Sequence, residues 1–273
     1  RKLKSLVGRQ PITESNGIKM YHQPEKDKSY ICVVDVSRGK GLDYSAFHIV
    51  DVTKMPYQQV CTFKDNMITP VEYTEIIHRV CVMYNEATAL VEINDIGEQI
   101  PSLLLYDYDY ENILYTESAG RAGKRISGGF GKKGSSIDKG IRTTKQVKSI
   151  GCSILKLLIE QDQLIVNDFD TISELSTFSK RGVSYEAETG KHDDLVMGLV
   201  LFAWLSGQEF FKLYTDNNTM ATLRDKTQEQ LLDELTPFGI INDGTQDETE
   251  NLFADDPEFS NGEIVDQSQK AWF

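Results

Sequence analysis

Four acidic residues stand where acids are costly. Asp35 interrupts the run Ile31-Cys32-Val33-Val34-Asp35-Val36, and Glu92 interrupts Ala89-Leu90-Val91-Glu92-Ile93. Asp193 and Asp194 come directly before Leu195-Val196-Met197-Gly198-Leu199-Val200-Leu201-Phe202. A carboxylate buried alone in a central strand is penalised by several kcal/mol, so it needs a partner. An acid at a strand end can instead be solvated or paired with Lys or Arg. Acids in a first helical turn favour the macrodipole and cap exposed N–H groups. Those explanations serve one acid at a time. They serve less well for two strand acids together with an acidic pair opening a helix that is apolar around its circumference. Such a helix is buried, and it brings its N-terminal carboxylates against the sheet.

Carboxylates that converge without a Cys or His framework select hard, oxygen-seeking ions, Mg²⁺ or Mn²⁺. Two such ions about 4 Å apart can activate a water and stabilise the leaving oxygen in phosphodiester hydrolysis. Mg²⁺ retains several waters and is completed by substrate phosphate, so three acids suffice and weak occupancy without nucleic acid is expected. The four cysteines, Cys32, Cys61, Cys81 and Cys152, are scattered, without a CxxC pair or a His at zinc spacing. They read as reduced, buried thiols.

A net charge of −13 argues at first against a nucleic-acid partner. The distribution reverses that judgement. Between Arg121 and Lys148 there are nine Lys or Arg and one acid, Asp138, whereas Asp243 to Asp266 holds nine acids and no base. Arg121, Lys124, Arg125, Lys132, Lys133, Lys139, Arg142, Lys145 and Lys148 can neutralise phosphates along a DNA backbone. No aromatic ladder interleaves them, which argues against base stacking. An ordinary solvated loop is the plainer alternative. The stretch Gly128 to Ser136 hints at a phosphate-binding P-loop, but Ile126 occupies the first glycine position and Lys133 the Ser/Thr position. No ATPase is read in this chain.

These residues need elements to carry them. Tyr30–Val36 is a β-branched run and reads as a central strand; Tyr44–Val52 and Tyr57–Asp65 complete a meander. Thr69-Pro70 opens a helix over 71–84, Ala89–Ile93 is a short buried strand, Gly97–Leu105 a helix, and Asn112–Tyr115 a fifth strand. Residues 118–140 read as a long exposed loop or hairpin. Thr143–Glu160 is a helix with Val147, Ile150, Ile154, Leu157 and Leu158 on its apolar stripe. A short strand over Gln163–Val166, a helix over Asp168–Lys180 and the apolar helix to about Trp204 follow. Three strands, a helix, then alternating strands and helices make a mixed α/β sheet.

Residues 1–29 are polar and patternless and read as a linker; 30–225 form the domain; 226–273 are rich in Asp, Glu, Asn and Gly and read as a solubilising, disordered tail. The chain starts at Arg1 without a Met and reads as a piece of a longer polypeptide. No signal peptide and no membrane span are expected, since no apolar stretch approaches the roughly 18 residues required.

Three segments carry a family resemblance: Val33-Val34-Asp35-Val36-Ser37-Arg38-Gly39-Lys40-Gly41-Leu42-Asp43-Tyr44, Val91-Glu92-Ile93-Asn94, and Gly190-Lys191-His192-Asp193-Asp194-Leu195-Val196-Met197. With Thr143-Thr144-Lys145 through Ile165 and Thr177–Val183, the stretch from Tyr30 to Leu205 resembles the nuclease domain of the large terminase subunit, the DNA-packaging motor protein of T4-like tailed bacteriophages. The resemblance implies an RNase H-like fold and cutting of double-stranded viral DNA concatemers with Mg²⁺ or Mn²⁺. It implies Asp35, Glu92 and Asp194 as catalytic metal ligands, Asp193 as a less favoured ligand, and Asp43 as support to the metal shell. It further implies an ATPase domain upstream, residues 1–29 as the hinge remnant, the portal and small terminase subunit as partners, and the host cytoplasm as location. Two features depart from the family pattern: a longer Gly-rich stretch at about 119–136, and the acidic tail. The carboxylates alone leave two other readings open: another RNase H-like phosphoryl transferase, such as a junction resolvase or RNA-cleaving enzyme, and a DNA-gripping module without catalysis.

Overall fold

The computed structural model describes residues 6–37, 43–118, 123–127, 137–181 and 184–216. Strands β1 (Thr13–Ser15), β2 (Ile18–Met20), β3 (Tyr30–Asp35), β4 (Ser45–Asp51), β5 (Tyr57–Asp65) and β6 (Thr88–Val91) lie in the order β1-β2-β5-β4-β3-β6. A seventh, β10 (Leu164–Ile165), pairs in parallel with the start of β5. The meander β3-β4-β5 is antiparallel, as the alternation predicts. β6 returns parallel to β3, with Val34 opposite Val91, after the crossover helix α1 (Pro70–Met83). Thr69 caps that helix in a reciprocal box with Glu72.

Both sheet faces are covered, which is why the central strands are nearly continuous apolar runs. Tyr30, Cys32, Val34, Phe47, Ile49 and Phe63 pack with α1 and α2 (Gln99–Asp107). Ile31, Val33, Val50 and Leu90 face the opposite layer, made by α3 (Lys145–Glu160), α4 (Phe169–Thr177) and α5 (Asp194–Ser206). Every residue of α5 from Leu195 to Leu205 is buried. Among the described residues no single helix is long and apolar enough to cross a membrane.

Four local features differ from the sequence reading. Within the stretch read as a patternless linker, β1 and β2 form a hairpin that extends the sheet along β5. Asn16 and Gly17 turn it with positive φ, 48° and 77°, the conformation an Asn-Gly hairpin turn requires. Three-residue strands are too short to show a period. Secondly, the segment read as one loop is partly ordered: β7 (Tyr115–Ser118) sits between β8 (Lys124–Ile126) and β9 (Ile137–Lys139).

Thirdly, α4 stops at Thr177, and β11 (Phe178–Arg181) pairs with β12 (Ser184–Ala187). Phe178 stacks on Tyr185 across that ribbon, centroids 6.2 Å apart, a diagonal contact that a continued helix would lose. Finally, the α3 stripe is rotated. Ile150 and Leu157 are 38% and 50% exposed, while Val147, Gly151, Cys152, Leu155, Leu158 and Ile159 are buried. Gly151 sets this contact: a Cβ there would lie 2.4 Å from the Val200 carbonyl oxygen, so only glycine lets the α3 and α5 backbones approach.

Candidate functional site

Strand parity brings the first two acids together. Asp35 shares the face of Ile31 and Val33, and Glu92, just past β6, shares the face of Leu90. The parallel register Val34–Val91 continues into them, and the Glu92 N–H donates to the Val34 carbonyl at 2.8 Å. Both side chains open into a cavity of about 340 Å³ whose other walls include Asn94, Thr144, Lys145 and Lys148. Asn94 Nδ2 donates to Glu92 Oε1 at 2.8 Å and fixes that carboxylate.

Asp35 is half-buried, with its exposed part toward the cavity. Its pKa is raised well above the usual carboxylate range. Burial is the main cause; the charge of Glu92, within hydrogen-bonding reach, comes next, then those of Asp194 and Asp193.

The acidic pair sits at the head of α5. Asp193 is its N-cap residue but makes no side-chain capping bond; its Oδ2 lies 3.9 Å from Lys148 Nζ. Asp194 Oδ1 accepts from the Tyr44 N–H at 3.2 Å. Its Oδ2 is buried without a hydrogen-bond partner, and His192 Nδ1 is 3.6 Å away. Burial and then the charge of Glu174 raise the Asp194 pKa to about 6, against a partial opposing pull from Lys64. Asp43 is exposed, one residue before Tyr44.

Sequence reading missed the groups that set α5 in place. Glu174 on α4 is buried; its Oε2 accepts from the N–H groups of Leu195 and Val196 at 2.9 and 3.2 Å. Its Oε1 pairs with Lys64, which also lies over the Tyr44 ring, 4.3 Å from the centroid. On the sheet side, the fully buried His48 contacts the Leu195 carbonyl through Nε2 at 2.7 Å and Gln59 through Nδ1 at 2.9 Å. Gln59 receives the backbone N–H groups of Asn167 and Asp168, both at 2.8 Å, at the start of α4. Burial lowers the His48 pKa to about 4, so the ring is neutral and joins α5 to α4 through Gln59. Only the proximity of Asn94 to Glu92 in sequence offered a signal; nothing local marks Glu174 or His48.

The basic segment is less free than its composition suggests. Lys124 pairs with Asp138, Arg125 with Glu117 at 2.7 Å, and Arg142 with Glu98. Lys139 donates to the Tyr106 hydroxyl at 3.0 Å. Lys145 and Lys148 line the cavity. Arg121, Lys132 and Lys133 lie outside the described residues.

Among the described residues no three His, Cys, Asp or Glu side chains form a ready-made ion cage. The donor set nonetheless fits a hard cation. Crowded carboxyls at Asp35 and Glu92, with an orphaned buried oxygen on Asp194, are what a divalent ion would relieve.

A mixed sheet of seven strands flanked by helices, with two acids at the ends of adjacent parallel strands, is an RNase H-like fold of the terminase nuclease type. Residues 32–203 match the model of the terminase RNaseH-like domain, and the chain belongs to that family. The large terminase nuclease of the thermophilic phage G20c, solved with bound magnesium, matches at 21% identity and a TM-score of 0.56. That alignment covers 76% of this chain and 96% of the other. The same nuclease with bound cobalt matches at 20% identity and TM-score 0.54, over 76% and 96% of the two chains. The large terminase nuclease domain of Thermus phage P74-26 matches at 19% identity and TM-score 0.55, over 76% and 95%.

Proposed function

We propose that this chain is the metal-dependent nuclease domain of a phage large terminase, an endodeoxyribonuclease that cuts concatemeric double-stranded DNA during genome packaging. The observation that carries the reading is the meeting of Asp35 and Glu92 on one face of adjacent parallel strands, in one cavity that Met197 of α5 also lines. Solved relatives with bound magnesium and cobalt support a divalent ion as cofactor. Asp35, Glu92 and Asp194 would hold it; Asp193 is the less favoured ligand and Asp43 a supporting acid.

Mg²⁺ or Mn²⁺, two ions once DNA is bound, would supply Lewis-acid polarisation of the phosphodiester and a more acidic water. The protein's own part is positional. Asn94 holds the Glu92 carboxylate in a single orientation, and Lys145 and Lys148 bring positive charge to the phosphate side of the cavity. With Arg121, Lys124, Arg125, Lys132, Lys133, Lys139 and Arg142, they form the proposed DNA track.

The finer assignment follows the motif resemblance: a T4-like tailed phage, with the portal, the small terminase subunit and an upstream ATPase domain as partners, acting in the host cytoplasm at the procapsid. Residues 1–29 would lead from that upstream domain, with the β1-β2 hairpin belonging to the nuclease sheet, and 226–273 would be the acidic tail.

The test is cleavage of supercoiled plasmid with Mn²⁺ or Mg²⁺, alongside linear duplex, four-way junction and RNA–DNA hybrid. Duplex cutting that needs the ion and disappears in Asp35→Asn is the expected result. Preferred cutting of junctions or hybrids would move the chain to another RNase H-like class. Salt-dependent DNA binding with no cutting under any ion would make it a gripping module.

A further inference from the structure

We propose that Glu174 is the positioning residue for the third carboxylate: it caps α5 from outside that helix, and so releases Asp193 and Asp194 from capping. This rests on the metal-dependent reading above. A helix starts with N–H groups that lack partners, and an acid at the N-cap position ordinarily satisfies one of them through its own side chain. Here the N-cap residue is Asp193, whose side chain makes no such bond. The N–H groups of Leu195 and Val196 go instead to one oxygen of Glu174, which approaches from α4. Glu174 is 7% exposed, and its other oxygen is held by Lys64, so the cap is rigid.

The two aspartates are thereby left with oxygens to spare. Asp194 keeps a buried Oδ2 without a hydrogen-bond partner, and Asp193 Oδ2 only a 3.9 Å approach from Lys148. Without Glu174, the nearest acids able to cap Leu195 and Val196 are these two themselves. Either one turning onto the helix end would be withdrawn from a cation. Outer groups that orient metal ligands typically change metal affinity by about 10–100-fold.

The experiment compares wild type, Glu174→Ala and Glu174→Gln, with Asp35→Asn as a reference for loss of a proposed ligand. Three quantities are read at a temperature where circular dichroism shows each protein folded: Mn²⁺ binding by electron paramagnetic resonance, the Mn²⁺ concentration giving half-maximal plasmid cleavage, and DNA affinity in EDTA. The expected result for Glu174→Ala is about a tenfold or greater weakening of Mn²⁺ binding and a matching rise in the half-maximal concentration, with DNA affinity unchanged. Gln keeps one acceptor oxygen for both N–H groups but turns its amide N–H₂ toward Lys64, so Glu174→Gln should bind Mn²⁺ between wild type and Glu174→Ala.

Mn²⁺ binding in folded Glu174→Ala equal to wild type overturns the proposal and leaves Glu174 a stability residue. Should Glu174→Ala not fold, the double variant Glu174→Gln with Lys64→Met, which keeps the acceptor and removes the opposed donor, decides alone: Mn²⁺ binding as weak as in Asp35→Asn overturns the proposal, and near wild-type binding upholds it. A wild-type protein that binds Mn²⁺ through Asp35 yet cuts no DNA would defeat the nuclease reading while leaving the capping role measurable by Mn²⁺ binding.

Discussion

At Asp35 the fold holds a carboxyl against Glu92, with the charges of Asp194 and Asp193 adding to the repulsion. Neutralising it has opposite effects on activity and stability. Asp35→Asn is expected to lower ion-dependent cleavage by more than about 100-fold, beyond what loss of an outer-shell group costs. The same change should raise the stability of the metal-free protein at neutral pH. The melting temperature should therefore rise, because the burial and neighbouring charges that oppose ionisation of the carboxyl no longer act on a neutral amide. Calorimetry in EDTA checks this; a lower melting temperature would mean that the carboxylate is structurally paired.

Asp194 gives a pH dependence. Its pKa rises from 3.8 to about 6 on folding, through burial and then the charge of Glu174. A raised carboxyl pKa means that the fold prefers the protonated form. Its stabilising contribution is full below about pH 4 and is lost as pH climbs through about 6. Relative to Asp194→Asn, metal-free wild type should therefore lose stability between pH 4 and 7. A divalent ion needs the ionised form, so the melting-temperature gain from Mn²⁺ should grow from pH 5 to 7.5. A gain independent of pH would place the ion elsewhere.

At the scale of elements, the proposed chemistry depends on where α5 comes to rest. Gly151 admits the Val200 carbonyl on one side, and His48 with Gln59 holds the Leu195 carbonyl on the other. Gly151→Ala should destabilise by about 1–3 kcal/mol through overpacking, read as a lower thermal midpoint. The rotated α3 face yields a sharper contrast. Leu155→Ala, in the core, should be worth about 2–5 kcal/mol, whereas Leu157→Ala, at 50% exposed, should stay within about 0.5 kcal/mol. Equal losses would show that both leucines pack.

Over the whole molecule, charge is segregated rather than averaged. The net −13 coexists with a basic stretch whose last two members, Lys145 and Lys148, line the cavity, and ion pairs already occupy other parts of it. DNA affinity measured against salt should reflect this. Lys145→Ala and Lys148→Ala should each reduce the log–log salt slope by about one. Arg125→Ala should change it less, because its guanidinium is held at 2.7 Å by the buried Glu117. A slope insensitive to Lys145 and Lys148 would route the DNA past another face.

The sequence by itself determined a good deal. Strand and helix periods are local properties, so the β3-β4-β5 meander, α1, α3 and α5 could be read from them. The oddity of Asp35, Glu92 and Asp193-Asp194 was also legible, since an acid inside an apolar run is visible without coordinates. Only the tertiary structure decided the rest. The pairing of β3 with β6 joins segments more than fifty residues apart, and the hairpin over 13–20 exists because β5 offers it an edge. The capping of α5 by Glu174, a residue twenty-one positions upstream, depends on how two helices dock. Such contacts are set by packing at a distance, for which a chain carries no local period.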